Sequence, residues 1–250
     1  MSEDLLRAVI QLFAIVARER ITDDERANIK EFLSLHLNRE AVPNYLKLFD
    51  ELSNAQNQHV PLDLNTLDND TQQFVDDWAK IMQIARQVNQ ALTTQQKLVL
   101  VIKIVELVYA DFEISERQAN LIFYVGKALK ISKSDINEIT NFVTGQDIDE
   151  LSSKHVLIID EGSGEGKYDG PRIIEKNLTG LIAILRLPSV ELYFVKYLGI
   201  TTLYLNSILL RSRKIDVFPT GSTIRGDKVD SIYFSDVVGK FLTDTSRAEI

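Results

Sequence analysis

The sequence predicts an α+β chain of two domains, an all-helical bundle with an internal repeat followed by a small antiparallel β-sandwich. Three observations predict it. Apolar residues recur at helical spacing up to about residue 145 and at strand spacing after it. Turn residues separate the later runs. A degenerate duplication, offset by 93 residues, runs through the helical part. The predicted boundaries are a helical domain over 1–145, a linker with a first strand and a Gly-rich loop over 146–172, and a β domain over 173–250.

The helices follow in order. Leu5, Leu6, Val9, Ile10, Leu12, Phe13 and Val16 mark one apolar face, Ile29, Phe32, Leu33 and Leu37 a second, and Tyr45, Leu46, Phe49 and Leu52 a third. Residues 53–68 are polar around Pro61 and read as a loop. Helical spacing resumes near Asp70 through Phe74, Trp78, Ile81 and Ile84. After Thr93-Thr94, residues 95–110 are apolar almost all round, as suits the centre of a bundle. Two more helices are expected near 115–130 and 133–144.

The β domain reads as short β-branched and aromatic runs. His155–Asp160 comes first, then Leu181–Leu187, Leu192–Tyr197, Thr201–Leu205, Ile215–Phe218 and Ser231–Phe234. Pro188-Ser189, Asn206-Ser207, Pro219-Thr220-Gly221 and Gly226-Asp227 supply turns, and Asp236–Leu242 suits a closing helix.

Composition narrows the chemistry. The 250 residues are 45% hydrophobic and 26% charged, enough apolar side chain for packed cores. Cysteine is absent, which excludes disulfides and thiolate chemistry and suits a cytoplasmic setting. The first twenty residues open on Glu3 and Asp4 rather than a basic stretch, so they read as a packed helix and not an export signal. No run nears the roughly 18 apolar residues of a membrane span. Residues 1–152 carry 15 Lys+Arg against 24 Asp+Glu, net −9, and residues 153–250 carry 13 against 12, net +1. The acidic first half repels phosphate and argues against nucleic acid.

No catalytic constellation is present. The stretch 156–161, VLIIDE, imitates a Walker B strand, and 162–167, GSGEGK, imitates a phosphate loop. The loop is one residue short, Tyr168 stands where the hydroxyl belongs, and Pro171 follows where a helix should open. No nucleophile elbow or zinc-protease motif occurs. The chain is expected not to be an enzyme.

The repeat aligns Ala17 with Ala110, Ile21 with Ile114, Thr22 with Ser115 and Glu25 with Gln118. Each copy contains a capping box, Thr22-x-x-Glu25 and Ser115-x-x-Gln118, which marks a helix–turn–helix corner. These corners resemble the TerB-like family, which takes its name from tellurite-resistance proteins. Phe112 stands at a position where that family has glycine, and Arg18 replaces the acid of the first copy. The resemblance implies a divalent-metal corner at Asp111, Glu113 and Glu116, with Ca²⁺ or Mg²⁺ as the cofactor. From the residues alone, acids at a helix start also serve the macrodipole.

Residues 203–226 resemble the C-terminal strands of forkhead-associated domains through Asn206, Gly221, Ile224 and Arg225, without that family's phosphothreonine-binding residues. The order of the two modules, with Y-L-G-x-x-x-L-Y-L-N at 197–206 and I-Y-F-S-D at 232–236, resembles the region preceding the ATPase cassette in certain bacterial ABC-transporter-type proteins. That resemblance implies a regulatory interaction region whose partner is an ABC-type ATPase in cis or in trans. Asn206, Arg211, Arg213 and Arg225 are its candidate interaction residues. The alternative is a divalent-metal-binding, tellurite-resistance-like stress protein.

Overall fold

The computed structural model describes residues 2–17, 21–56, 69–162, 168 and 170–245, and for 55–56, 69–74 and 244–245 it describes the backbone alone. The described elements are α1 (Glu3–Val16), α2 (Asp23–His36), α3 (Val42–Gln56), α4 (Asn69–Ala91), α5 (Thr94–Val108), α6 (Glu116–Ala128) and α7 (Lys133–Thr144), then β1 (Val156–Asp160), β2 (Arg172–Ile174), β3 (Gly180–Leu187), β4 (Leu192–Gly199), β5 (Tyr204–Leu205), β6 (Ile208–Leu209), β7 (Ile215–Val217), β8 (Thr223–Arg225), β9 (Ile232–Tyr233) and α8 (Phe234–Thr245). They form two compact units, Met1–Ile139 and Thr140–Ile250. No described helix is long and apolar enough to cross a membrane.

In the first unit two helices are apolar on nearly every side. Leu98, Val101, Ile102, Ile104, Val105 and Val108 of α5 are fully buried, as the unbroken apolar run predicts. α1 is buried almost as completely, from Leu5 to Val16, although its pattern reads as one face. Both expected capping boxes form. Thr22 Oγ1 accepts from the Glu25 amide at 3.1 Å while Glu25 Oε2 accepts from the Thr22 amide at 2.8 Å. Ser115 and Gln118 repeat the exchange at 3.2 and 2.9 Å. A third box, unmarked in the sequence reading, joins Thr93 and Gln96 at the start of α5. α6 ends in a Schellman turn with Lys130 at φ +63°, Ile131 N–H donating to Gly126 O and Lys130 N–H to Lys127 O. Gly126 lets α7 approach closely, since a Cβ there would lie 2.4 Å from Ile136 Cδ1.

The second unit contains a five-stranded sheet, β2-β1-β3-β4-β7, and a four-stranded sheet, β6-β5-β8-β9. Every pairing is antiparallel except β1 with β2, a departure from the all-antiparallel expectation. One shared core takes Leu157, Ile159, Ile182, Ile184 and Val195 from the larger sheet, Leu205, Ile224 and Ile232 from the smaller, and Val237 and Phe241 from α8. The opposite face of the larger sheet is buried too, through Ile158, Ala183, Leu185 and Phe194. Burial on both faces explains why β1, β3 and β4 read as nearly continuous apolar runs.

One residue breaks that run. Lys196 of β4 is 1% exposed. Its Nζ donates to the carbonyls of Phe142, Val143 and Gly145 at 3.1, 2.6 and 2.6 Å. These are carbonyls at the end of α7, where a helix leaves its last acceptors without intrahelical donors. An ammonium carries three donors and also complements the negative helix end.

Lys196→Met keeps the bulk of the side chain and removes all three donors. It is expected to destabilise the protein by about 2–4 kcal/mol, read as a lowered urea midpoint. Lys196→Arg should not restore the wild-type value, because a planar fork cannot replace a tripod of donors.

Candidate functional site

The first candidate is the acidic corner between α5 and α6. Asp111, Glu113 and Glu116 are all exposed. Glu116 is the first residue of α6, where its charge complements the helix N-terminus. Phe112 adopts φ +66°, the left-handed backbone that glycine takes without strain. Its ring meets Tyr109 edge-on at 5.7 Å. Among the described residues, no three Asp, Glu or His side chains stand close enough to hold a metal ion, so Asp111, Glu113 and Glu116 are not gathered into one such group.

The structure brings Asp111 toward the other corner instead. Glu25, the capping-box acid of α2, is buried, and its carboxyl is pushed up to about 7, first by burial and then by the negative charge of Asp111. Asp111 of the second corner thus lies within electrostatic reach of Glu25 in the first. Asn28 adds a direct tie, its Nδ2 donating to Glu106 O at 3.0 Å. The sequence marks Glu25 as a cap but gives no sign of its burial.

A second acid, Asp160 of the Walker-like strand, is occupied. Arg172 grips it with a fork of two bonds at 2.9 and 2.5 Å, and the Gly162 amide donates to it at 3.3 Å. Tyr168 donates its hydroxyl to Val156 O. Residues 163–167 of the phosphate-loop imitation, Lys167 included, lie outside the described residues. Lys97 is a buried lysine that the sequence did not single out. It donates to Asn89 Oδ1 at 3.1 Å, Asn89 passes a bond to Ala128 O at 2.9 Å, and burial together with Lys130 lowers the pKa of the ammonium.

The third candidate is the outer face of the smaller sheet. Register places Leu209, Tyr204 and Arg225 in one row across β6, β5 and β8, and Tyr233 beside Thr223 in the next row. Leu209, Tyr204, Arg225 and Tyr233 are exposed, with Leu209 at 49% and Tyr233 at 46%. Arg225 forms no ion pair among the described residues. Arg211 and Arg213 are exposed in the turn after β6, where the Arg213 amide (φ +68°) donates to Tyr197 O at 2.7 Å. Asn206 serves the fold: its amide donates to Ser222 Oγ at 2.8 Å and accepts from Thr223 N at 3.0 Å. Of the four predicted interaction residues, Arg225 sits within the exposed row, Arg211 and Arg213 flank it, and Asn206 is used internally.

The Glu25 shift has a definite sign. Between pH 4.5 and about 7 the folded chain keeps a proton that the unfolded chain has lost, so stability falls as pH rises through that window. Glu25→Gln keeps the capping box, as Gln118 and Gln96 do in theirs. The variant is expected to match wild type near pH 4.5 and to exceed it at pH 8 by about 1–2 kcal/mol, allowing for partial solvation of the carboxyl. Urea unfolding at a series of pH values measures the difference.

Among known proteins, the family described as Tellurite resistance protein TerB matches residues 6–141, more than half of the chain. No curated protein and no solved structure matches. The match spans α2 to α6 in full, both corners included, and with it the buried α5 at the bundle's centre. The chain belongs to the TerB family.

Proposed function

We propose that the chain is a non-catalytic regulatory and interaction region that serves a bacterial ABC-type ATPase or transporter in the cytoplasm, in cis or in trans. The observation that supports it is the exposed row on the smaller sheet. Tyrosine, arginine and aliphatic side chains placed together in solvent are the composition of a docking surface rather than of an ordinary sheet face. The choice of partner rests on the order of the two modules in the sequence. The test is calorimetric binding to an ABC-type ATP-binding cassette encoded after this chain or beside it. Tyr204→Ser combined with Tyr233→Ser should weaken binding by about tenfold or more. Unchanged affinity in that variant, or no cassette that binds, overturns the reading.

A second reading is favoured by the mutual repulsion of Glu25 and Asp111. It is a divalent-cation-binding, tellurite-resistance-like stress protein, in keeping with the family. Glu25 and Asp111 would hold the ion, and hard carboxylate oxygens suit Ca²⁺ or Mg²⁺. The fit is limited to these two carboxylates, since no third acid joins them among the described residues. Calorimetric titration with Ca²⁺, Mg²⁺ and Mn²⁺ should give a heat that Asp111→Asn abolishes. No heat at millimolar metal removes this reading.

A further inference from the structure

We infer that the open edge of β6 takes up an extended acidic peptide segment of the partner as an added antiparallel strand. This rests on the interaction reading above and names the chemistry of the contact. The first ground is the backbone. In the β5–β6 hairpin, Leu205 pairs with Ile208, Tyr204 with Leu209, and Leu210 N–H donates to Leu203 O at 2.9 Å. Hydrogen-bonded and non-hydrogen-bonded pairs alternate along an antiparallel ladder, which makes Tyr204 and Leu209 the non-bonded pair. The N–H and C=O of Leu209 therefore point away from β5. β6 is the last strand of its sheet, so they point to an open edge. Among the described residues no backbone or side-chain group bonds to them.

The second ground is what flanks that edge. Exposed edges are ordinarily blunted by charge, proline or a bulge. Here the edge strand is Ile208 and Leu209, and Ile208 is 72% exposed. Its two side chains offer one apolar contact on each face of the sheet to an incoming strand with alternating residues. Charge then selects the occupant. From Ser207 to Lys214 the chain carries Arg211, Arg213 and Lys214 and no carboxylate, and Arg225 lies two strands in, on the row of Leu209. A second copy of this chain is a poor occupant. Antiparallel pairing of β6 with β6 about a two-fold axis through Leu209 would set Arg211 opposite Ser207 of the other copy, so no carboxylate would meet the basic residues. An extended segment with acidic residues between apolar ones meets every feature of the edge.

The experiment titrates the full chain with fluorescein-labelled peptides and reads anisotropy. One peptide alternates valine with glutamate, a second valine with lysine, and a third is the glutamate peptide N-methylated at alternate backbone nitrogens. The glutamate peptide is expected to bind, and the lysine peptide to bind at least about tenfold more weakly. N-methylation should weaken binding by about tenfold, because it removes the donors that pair with Leu209 C=O. Arg211→Glu with Arg225→Glu should do the same, as should Leu209→Pro, which removes the outward N–H alone. The N-methylated peptide needs no variant, so a misfolded Leu209→Pro leaves the test intact. Equal binding of the two charge forms, insensitivity to N-methylation, or no binding of the glutamate peptide overturns strand addition. If the cassette still binds in a way that depends on Tyr204 and Tyr233 while no peptide does, the docking face stands and the edge mechanism falls.

Discussion

The second unit depends on the ammonium of Lys196 and the three carbonyls it satisfies. A five-stranded sheet buried on both faces has no room for an unpaired charge. A helix that ends against such a sheet has no water for its last acceptors. Each problem answers the other, because the lysine in the middle of β4 meets the terminal carbonyls of α7. The attachment is stronger than neutral bonds would give, since one partner is charged and the other is the negative end of a helix. In the sheet that carries Lys196, β3 and β4 form the long central hairpin and β1 lies beside β3, with β2 and β7 at the edges.

Much of this fold was legible in the sequence, and the reasons differ between the units. The seven described helices of the first part lie close to where apolar spacing puts them, because helical periodicity accumulates over a dozen residues or more. α3, however, runs on to Gln56, four residues into the stretch 53–68 that reads as a loop, and 57–68 lie outside the described residues. The caps at Thr22 and Ser115 were equally readable, since a capping box is a local bond between residues three apart. The short strands divide. β5, β7 and β9 fall inside the runs Thr201–Leu205, Ile215–Phe218 and Ser231–Phe234, whereas β2, β6 and β8, of two or three residues each, are too short for a period to register. Nor could local spacing show that β1 and β2 run parallel, which is a matter of tertiary pairing.

The candidate sites divide along the same line. The acids of the second corner were readable as types at a spacing, but their relation to Glu25 depends on two segments 86 positions apart in the chain meeting in space. The arginines of the β unit were visible as a basic cluster. The apolar half of that surface was not, because Tyr204 and Tyr233 sit in runs that read as strands with no sign of which face is exposed, and Leu209 lies in no such run. Strand alternation sends them outward, and only the register of the smaller sheet reveals that they share a face with Arg225. Phe112 is a similar case: its chemistry suggests a buried aromatic, and its backbone makes it the tip of a tight corner.

Asn206 carries a consequence for how this sheet assembles. A strand of two residues has almost no intrinsic preference for one alignment over its neighbour. Sliding β5 by a single position against β8 would turn Tyr204 into the interior and expel Leu205. The carboxamide of Asn206, clipped to both the hydroxyl and the amide of consecutive residues at the start of β8, fits one alignment alone. A single side chain thereby acts as a ratchet pawl, and the identity of the solvent-facing surface is inherited from it.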